Sequence, residues 1–319
     1  MQSHILCSFI KCEYLCASLA VPPHRAVWEG SQLRNCFVMT NYFHYFVLSV
    51  AFMCADVCRA ATTDIPVATG ANTSDGHDTL NVVILGDSNT FNGGDDCTDE
   101  RGWNTWFRRV FRPATCKSYA RSGATWTNTN ATVTNTQEKI DVIGNNNVIY
   151  NQIVRLKQAH AKGHQPTPHL IIIAAGTNDA WFTKHRPLAY DKTARQVFAD
   201  SQTFTTKRNV NTVLTLAESV RYGCEMLMEA FPGAQLVLVT PPQCVKVDGD
   251  KMLLTGDIIE QCGAYMGIGV IRLDKIGAIN ATRERQQKHY TADGVHTNRL
   301  GARRNGTIIA RQVGAMLGM

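Results

Sequence analysis

The sequence predicts an α/β fold of three layers, with a parallel β-sheet between two layers of helices. Short apolar runs rich in Val, Ile and Leu recur from residue 80 onwards and stop at glycine or proline. The runs are continuous rather than alternating in polarity, which is typical of strands buried on both faces of a parallel sheet. Helix-length segments separate them, and this alternation of strand and helix indicates an α/β architecture.

Five runs are interpreted as strands. Two of them end at a glycine and a third ends at Pro241-Pro242, as expected because glycine and proline mark turns. The last run is interrupted by Gly267 and Gly269, and the second is short. In chain order the predicted strands cover residues 80–86, 117–120, 170–176, 234–240 and 266–273.

Four segments are predicted to be helices. The first carries apolar side chains at positions 103, 106, 107, 110 and 111, which is the spacing of one helix face. The last repeats this kind of spacing near the end of the chain. The predicted helices cover residues 103–111, 147–162, 210–231 and 300–317.

The first sixty residues differ from the rest, since six of the eleven cysteines lie there. Met39 opens a segment with the form of a secretory signal: residues 45–55 are largely apolar, and Cys58-Arg59-Ala60 is a small-x-small pattern. We interpret residues 1–61 as an N-terminal extension whose signal peptide starts at Met39 and ends near Ala60, and we expect export to the periplasm or out of the cell. A buried N-terminal helix is the alternative interpretation.

Residues 62–79 are interpreted as a polar linker and residues 80–319 as the main domain. Five cysteines fall in this domain, so at least one remains unpaired within the chain if the domain is exported. The pairs nearest along the sequence are Cys97 with Cys116 and Cys244 with Cys262, and the spacing does not decide the connectivity.

Composition excludes several classes of protein. With 319 residues, 44% hydrophobic and 18% charged, the chain is suited to a buried core rather than to disorder. No apolar run reaches the ~18 residues of a membrane span, so no integral membrane segment is expected. The net charge is +6, but the basic residues are scattered among acidic ones, so nucleic acid is not an expected partner. No sequence signal specifies an oligomeric state.

Polar residues follow the predicted strands, where ligands gather in parallel sheets. Ser88, in Gly86-Asp87-Ser88, lies on a strand-to-helix turn that suits a nucleophile beside an oxyanion hole, or it caps the next helix. Gly123 either lets the backbone approach a ligand closely or only turns the chain. Asn178, in Gly176-Thr177-Asn178-Asp179, either donates its side-chain amide to an oxyanion or forms a local turn or cap.

Asp293-Gly294-Val295-His296 precedes the last predicted helix. A carboxylate three residues before an imidazole is able to orient the ring through Nδ1–H and leave Nε2 as a base toward a serine. A metal pair is the competing use, but no third ligand lies at a familiar spacing, so no metal is expected. Gly86 stands alone after the first strand, without a dinucleotide-binding glycine fingerprint, so no such cofactor is expected.

Taken together and in this order, the four motifs around Ser88, Gly123, Asn178 and His296 resemble those of the SGNH (GDSL-type) hydrolase family over residues 80–319. Asn89 stands where the family's common name has leucine. The resemblance implies a flavodoxin-like sheet of about five parallel strands and a serine hydrolase that acts on esters.

The resemblance also implies a role for each motif residue. Ser88 is the nucleophile, His296 the general base and then acid, and Asp293 the orienting carboxylate. The backbone N–H groups of Ser88 and Gly123 and the side-chain amide of Asn178 form the oxyanion hole. This agrees with the chemistry, since a serine hydroxyl needs an adjacent base and the developing oxyanion needs donors already in place.

The substrate is less strongly specified. Trp126 and Trp181 follow the Gly123 and Asn178 motifs, where they either hold sugar faces or acyl chains at the cleft or pack at the rim of the core. Residues 182–209 are either a substrate-selecting wall or lid or a surface loop with a short helix. The acidic run at residues 95–100 is interpreted as a solvated loop, since its spacing matches no calcium loop.

We expect a carbohydrate O-deacetylase or short-chain carboxylesterase that acts on a small-molecule or glycan ester. A lipase or thioesterase on longer acyl chains and an acyltransferase are the alternatives. A non-catalytic glycan-binding module is the remaining one, although every chemical position of the motifs is filled.

Overall fold

A computed structural model of the protein describes residues 76–135, 142–199 and 207–319. The predicted N-terminal extension and signal peptide lie outside the described residues, as do most of the predicted linker and residues 200–206 of the 182–209 segment. The linker's last residues form a short 3₁₀ helix, Gly76–Thr79, immediately before the first strand.

Within the described residues, five parallel strands form one sheet in the order β2-β1-β3-β4-β5. This confirms the predicted fold class, including the flavodoxin-like strand order. Each strand begins or ends within about three residues of its predicted bounds, and the central three are almost entirely buried. The strands are β1 Asn81–Gly86, β2 Thr115–Ser118, β3 Leu170–Ala174, β4 Gln235–Val239 and β5 Gly269–Ile271.

Helices cover both faces of the sheet. The helices are α1 Ser88–Phe91, α2 Trp103–Phe111, α3 Ile149–Ala161, α4 Thr177–Trp181, α5 Ala194–Phe198, α6 Leu216–Ala230, α7 Gly249–Met266, α8 Leu273–Ile276, α9 Ala281–Gln286 and α10 Arg299–Met316, with a 3₁₀ turn at Val210–Thr212. One apolar core lies between the sheet and α3, α6 and α7, and another lies between the sheet and α2 and α10. No described helix has the length and apolarity needed to cross a membrane.

Two long helices differ from the sequence prediction. The segment predicted as one helix over residues 210–231 is a 3₁₀ turn followed by α6, because Thr215 caps α6 by accepting from the backbone of Glu218. The 18-residue helix α7 was not predicted, since glycines interrupt its apolar pattern. Gly263 allows close packing, because a Cβ there would lie 2.4 Å from Val270 of β5.

The order of the strands determines where a site can form. The chain passes from β1 outward to β2 and then crosses to β3 on the other side of β1. The connections therefore diverge at the carboxyl ends of β1 and β3, which leaves a crevice between them. Ser88 follows β1 and Asn178 follows β3, so both motifs lie at this edge of the sheet.

Candidate active site

Ser88 is held by the end of β1 and the turn that follows it. A Cβ at Gly86 would lie 2.6 Å from the carbonyl oxygen of Ala174, so the tight approach of β1 to β3 requires glycine. The side chain of Gln152 pairs with both the N–H and the carbonyl of Gly86 at 2.8 Å. The Asp87 carboxylate accepts from the backbone N–H of Asn89 and so caps α1. Main-chain contacts therefore fix the serine, which is only 6% exposed.

His296 meets Ser88 across more than two hundred residues of sequence. Its Nε2 lies 3.0 Å from Ser88 Oγ, and its Nδ1 lies 2.7 Å from the Asp293 carboxylate. An ionised carboxylate only accepts, so Nδ1 carries the proton and Nε2 is free to accept from the serine hydroxyl. The structure thus brings together the three side chains that the sequence motifs predicted would meet.

The pKa values of the two carboxylates nearest this contact are shifted in opposite directions. Burial opposes the ionisation of Asp293, but hydrogen bonds from His296 and from the backbone amides of Val295 and His296 outweigh it and lower the pKa of Asp293 to about 2. Asp293 is therefore ionised near neutral pH. Burial raises the pKa of Asp87 to about 6, despite the hydrogen bond from Asn89. Asp87 thus supports the turn and places a second acidic group near His296.

The predicted oxyanion donors lie on two loops that contact each other. Gly123 has a φ of 80°, and a Cβ there would lie 1.8 Å from the carbonyl oxygen of Val142, so this position requires glycine. The Asn178 side-chain N–H donates to the carbonyl of Ala124 at 2.9 Å, which leaves its second N–H available. The backbone amides of Ser88 and Gly123 donate to no described residue. Three unused N–H groups are therefore available for a ligand oxygen.

Asp179 joins the same two loops, although the sequence analysis assigned it no role. Its buried carboxylate accepts from the backbone N–H groups of Trp126 and Thr127 at 3.0 and 2.9 Å and from the Thr127 hydroxyl at 2.7 Å. Burial raises the pKa of Asp179 above its ordinary value. Asp179 follows Asn178 in the quoted motif, but nothing in the sequence indicated that its partners lie some fifty residues earlier.

Glu284 holds the loop that carries Asp293 and His296. Glu284 is only 3% exposed. Its carboxylate accepts hydrogen bonds from the backbone N–H groups of His289, Tyr290 and Thr291 and from the Thr291 hydroxyl. Burial opposes its ionisation, but these hydrogen bonds outweigh it and hold the pKa of Glu284 below its usual range. No motif marked this residue, because it lies outside the pattern and acts through the backbone.

Asn89 ties the serine helix to the same loop. Its Oδ1 accepts from the backbone N–H of Thr297 at 3.0 Å, and its Nδ2 donates to the carbonyl of Val295 at 3.4 Å. In the sequence, Asn89 stands out only as a departure from the family's common name. The structure gives it a positioning contact on each side of His296.

The two tryptophans considered for the cleft have different surroundings. Trp126 is 2% exposed, packs in the core under α3 and α6, and donates its ring N–H to the carbonyl of Ala175. The expectation that Trp126 lines the cleft is therefore wrong, because Gly223 leaves space in α6 for its ring to turn inward. Trp181 is 37% exposed and stacks on Phe182 with ring centroids 5.1 Å apart.

The described part of the 182–209 segment is packed against the site loops. Arg186 is 3% exposed, and its guanidinium donates to Thr125, Thr127 and Gly144. Residues 194–198 form α5, the short helix considered in the sequence analysis. Arg186 therefore ties this part of the segment to the loop that follows Gly123.

The acidic run at residues 95–100 pairs largely with arginines. Asp95 pairs with Arg121, Asp99 with Arg101, and Glu100 with Arg109 and Arg299. Among the described residues, no group of three or more His, Cys, Asp or Glu side chains has an arrangement suited to a metal ion.

Comparison with known proteins identifies the family. The model of the GDSL-like lipase/acylhydrolase family matches residues 84–304, which is more than half of the chain. No curated protein matches the sequence.

Solved structures similar to this chain include three bacterial proteins. One is described as a possible lipase from Chitinophaga pinensis (16% identity, 75% of this chain and 99% of that one, TM-score 0.47). Another is a protein from Lactobacillus plantarum (17% identity, 76% of this chain and 98% of that one, TM-score 0.47). A third is described as a member of the lipolytic protein G-D-S-L family from Veillonella parvula (14% identity, 74% of this chain and 97% of that one, TM-score 0.41).

The family match spans the serine turn, the Asn178 loop and the histidine loop, all in the order that the motifs predicted. The chain therefore belongs to the GDSL-like lipase/acylhydrolase family and is a serine hydrolase of carboxylic esters.

Proposed function

We propose that this protein removes short acyl groups from carbohydrates, as an O-deacetylase or short-chain carboxylesterase that forms an acyl-enzyme on Ser88. The observation that carries the proposal is the chain of contacts from Ser88 Oγ through His296 to Asp293, at 3.0 and 2.7 Å. A serine becomes an effective nucleophile when a base is hydrogen-bonded to it and that base is itself oriented.

In the first half-reaction, Ser88 Oγ attacks the ester carbonyl carbon while His296 Nε2 takes the hydroxyl proton. The carbonyl oxygen becomes an oxyanion and accepts from the N–H groups of Ser88, Gly123 and Asn178. His296 then gives its proton to the alcohol oxygen as the carbon–oxygen bond breaks. Asp293 remains ionised throughout and stabilises the imidazolium.

In the second half-reaction, water replaces the alcohol. His296 takes a proton from the water as its oxygen attacks the acyl carbon, and the same donors hold the second oxyanion. The bond to Ser88 Oγ breaks, His296 returns the proton to that oxygen, and the free acid leaves. The enzyme is thus regenerated with no cofactor involved in any step.

An aromatic surface beside the Asn178 loop supports a carbohydrate substrate. Trp181 lies three residues after Asn178 and is partly exposed, and its ring is supported by Phe182 stacked beneath it. His185 packs edge-on against Phe182 with ring centroids 6.4 Å apart. A rigid, partly exposed aromatic face with a polar ring nearby suits the apolar face of a sugar.

A closed apolar cluster near the histidine loop supports a short acyl group. Five side chains pack on one another here, and each is at most 5% exposed. They are Ala180, Cys244, Val247, Met252 and Val295. Val295 adjoins His296, and Val245 donates its backbone N–H to the carbonyl of Gly294. Tightly packed side chains beside the catalytic loop form a wall and leave little volume for a long chain.

The test is a series of p-nitrophenyl esters from acetate to octanoate, together with acetylated oligosaccharides. We expect kcat/KM for acetate to exceed that for octanoate by about 100-fold or more, and acetate to be released from the sugar. Faster turnover of octanoate would instead assign a lipase or thioesterase role. New sugar ester formed in the presence of an acceptor would assign acyl transfer.

Trp181→Ala tests the sugar contact separately. We expect KM to rise about tenfold or more for the acetylated oligosaccharide and to change little for p-nitrophenyl acetate, because only the sugar reaches the ring. Tyr265→Ala is the matched control: Tyr265 is exposed and stacks on Phe198, but it lies at the end of α7 that leads into the start of β5, at the opposite edge of the sheet. Equal effects of the two variants would contradict a sugar site at Trp181.

A further inference from the structure

Two of the five described cysteines lie side by side. The thiol of Cys116, on β2, donates to the sulfur of Cys97, and the two Sγ atoms are 3.5 Å apart. The pair closes a loop of about twenty residues that runs through α2. Cys97 and Cys116 are also one of the two cysteine pairs that lie nearest along the sequence in the main domain, and of those two pairs only this one has its thiols in contact.

The surroundings of Cys97 hold its sulfur toward β2. Cys97 has a φ of 54°, in the left-handed region that residues with a Cβ seldom adopt. It is 1% exposed and belongs to the core between the sheet and α2, and the Asn104 side chain donates to its sulfur at 3.4 Å. An uncommon backbone conformation that directs a thiol onto another thiol indicates that the loop is shaped around this contact.

The other cysteines lack such a contact. Cys224, Cys244 and Cys262 are buried, and no described thiol approaches any of them within hydrogen-bonding distance. The second pair considered from the sequence, Cys244 with Cys262, is therefore not favoured. Cys244 lies in the apolar cluster near Val295, whereas Cys262 lies in the core beneath α6.

We propose that Cys97 and Cys116 form a structural disulfide that braces the loop joining α1 to α2. The bond forms by thiol–disulfide exchange: a disulfide oxidant such as oxidised glutathione accepts two electrons and two protons, and the two cysteine thiols become one disulfide while two small thiols are released. Oxidising compartments supply such oxidants, which agrees with the predicted export of the chain.

Asp95 connects the loop that carries Cys97 to the active site. This residue lies two positions before Cys97, and its carboxylate pairs with Arg121 at 2.8 Å. Its carbonyl also accepts from the backbone N–H of Ser118, two residues after Cys116. Arg121 in turn donates its backbone N–H to the carbonyl of Gly86 and precedes Gly123. A covalent bond from Cys97 to β2 therefore stabilises the contacts that position the loop carrying Gly123.

Burial affects when the bond can form. The hydrogen bond to Cys97, together with burial, raises the pKa of Cys116 well above its usual range. Because thiolates are the reactive species, the folded reduced pair reacts slowly with an oxidant. We therefore expect the bond to form during folding, before α2 packs over the sulfurs.

The test is to refold the full chain from denaturant in a glutathione redox buffer, with recovered ester hydrolysis as the check on folding. After alkylation and digestion with trypsin without reduction, Cys97 lies in the peptide of residues 60–101 and Cys116 in the peptide of residues 110–117. Each of these peptides contains one cysteine, so mass spectrometry identifies the linkage directly. We expect the two peptides to be joined, with the mass of two hydrogen atoms lost.

The thermal stability of the linked and the reduced protein provides a second measurement. Closing a loop of this size is expected to raise Tm by roughly 5–10 °C over the reduced protein. Cys97→Ser and Cys116→Ser should each abolish this redox dependence, whereas Cys224→Ala, which removes a buried thiol that has no hydrogen bond to another described thiol, should retain it. Both cysteines recovered alkylated from active refolded protein, a different pairing, or a linked protein with unchanged Tm would overturn the proposal.

Discussion

The two halves of the serine–histidine contact are held in different ways. Ser88 is buried and follows a central strand whose main-chain hydrogen bonds and tight glycine turn set its position. The side chains of His296 and Asp293 are 34% and 53% exposed and lie on a loop before α10. That loop is held chiefly by side-chain acceptors from elsewhere, Glu284 and Asn89.

This difference predicts where substitutions act. On the serine side the backbone fixes the geometry, so changes to the reacting groups should alter chemistry while leaving the fold intact. On the histidine side a few buried side chains position the base, so substitutions that never touch substrate should still lower kcat.

Ser88→Ala should lower kcat by roughly 10⁴–10⁶-fold, because no other group can form the acyl-enzyme. Steady-state hydrolysis of p-nitrophenyl acetate measures the loss, and labelling by a fluorophosphonate should disappear with it. Ser122→Ala, a change of the same kind on the neighbouring loop, serves as control and should retain activity and labelling. A Ser88→Ala protein with a tenth of wild-type turnover would exclude Ser88 as the nucleophile.

Asn178→Ala should lower kcat by about 10²–10³-fold with a smaller change in KM, because a donor to the oxyanion acts mainly in the transition state. The variant also loses the hydrogen bond to Ala124, so its Tm must be measured beside its kinetics. Asn130→Ala, an exposed asparagine after the Gly123 loop, is the control. A loss of activity explained entirely by unfolding would count against a donor role.

Glu284→Gln should lower kcat by about 10–100-fold while leaving KM nearly unchanged. In the variant, the side-chain NH₂ group faces backbone N–H donors that in the wild type face a carboxylate oxygen. Leaving such buried donors without an acceptor costs about 1–3 kcal/mol and loosens the loop that carries Asp293 and His296. Glu229→Gln makes the same chemical change on the exposed face of α6 and should have no effect. A lower Tm for Glu284→Gln with unchanged kcat would restrict Glu284 to a structural role.

Asp293→Asn should reveal a small, pH-dependent difference in stability. The folded state lowers the pKa of Asp293 from 3.8 to about 2, so the folded chain binds this proton less readily than the unfolded chain. The stabilisation is therefore complete above about pH 5 and is lost as pH falls through 2. It should be below about 1 kcal/mol, because the carboxylate is half exposed and solvent screens it.

Denaturant unfolding of wild type and Asp293→Asn between pH 7 and pH 2.5 measures this difference, and added salt should reduce it. A stability difference that stays constant or grows toward acid would contradict the assigned direction of the pKa.

Most of the sheet was predictable because its strands are buried on both faces. Such strands must be continuously apolar, so β1, β3 and β4 stand out in the sequence regardless of what packs on them. Helix α7 was missed for the opposite reason. Gly263 is required because α7 approaches β5 closely there, and a local pattern carries no information about how near two elements lie.

The same distinction applies to the site. Ser88, Asn178 and His296 were predicted because the chemistry demands those side chains at strand ends and before the last helix. Glu284 and Asp179 were not, since any carboxylate at the right point in space can accept from backbone amides. The sequence left the position of Trp126 undecided, because the space that receives its ring is left by Gly223, nearly a hundred residues later.

The amino-acid sequence alone predicts the α/β architecture, the hydrolase family and the motif residues. Each of these depends on apolar runs or short motifs whose meaning is local. Tertiary structure decided that Cys97 faces Cys116, that Trp126 turns inward, and that Glu284 holds the histidine loop. These outcomes depend on which distant segments the packed core brings within a few ångströms, and hydrogen bonds and sulfur contacts act only over that range.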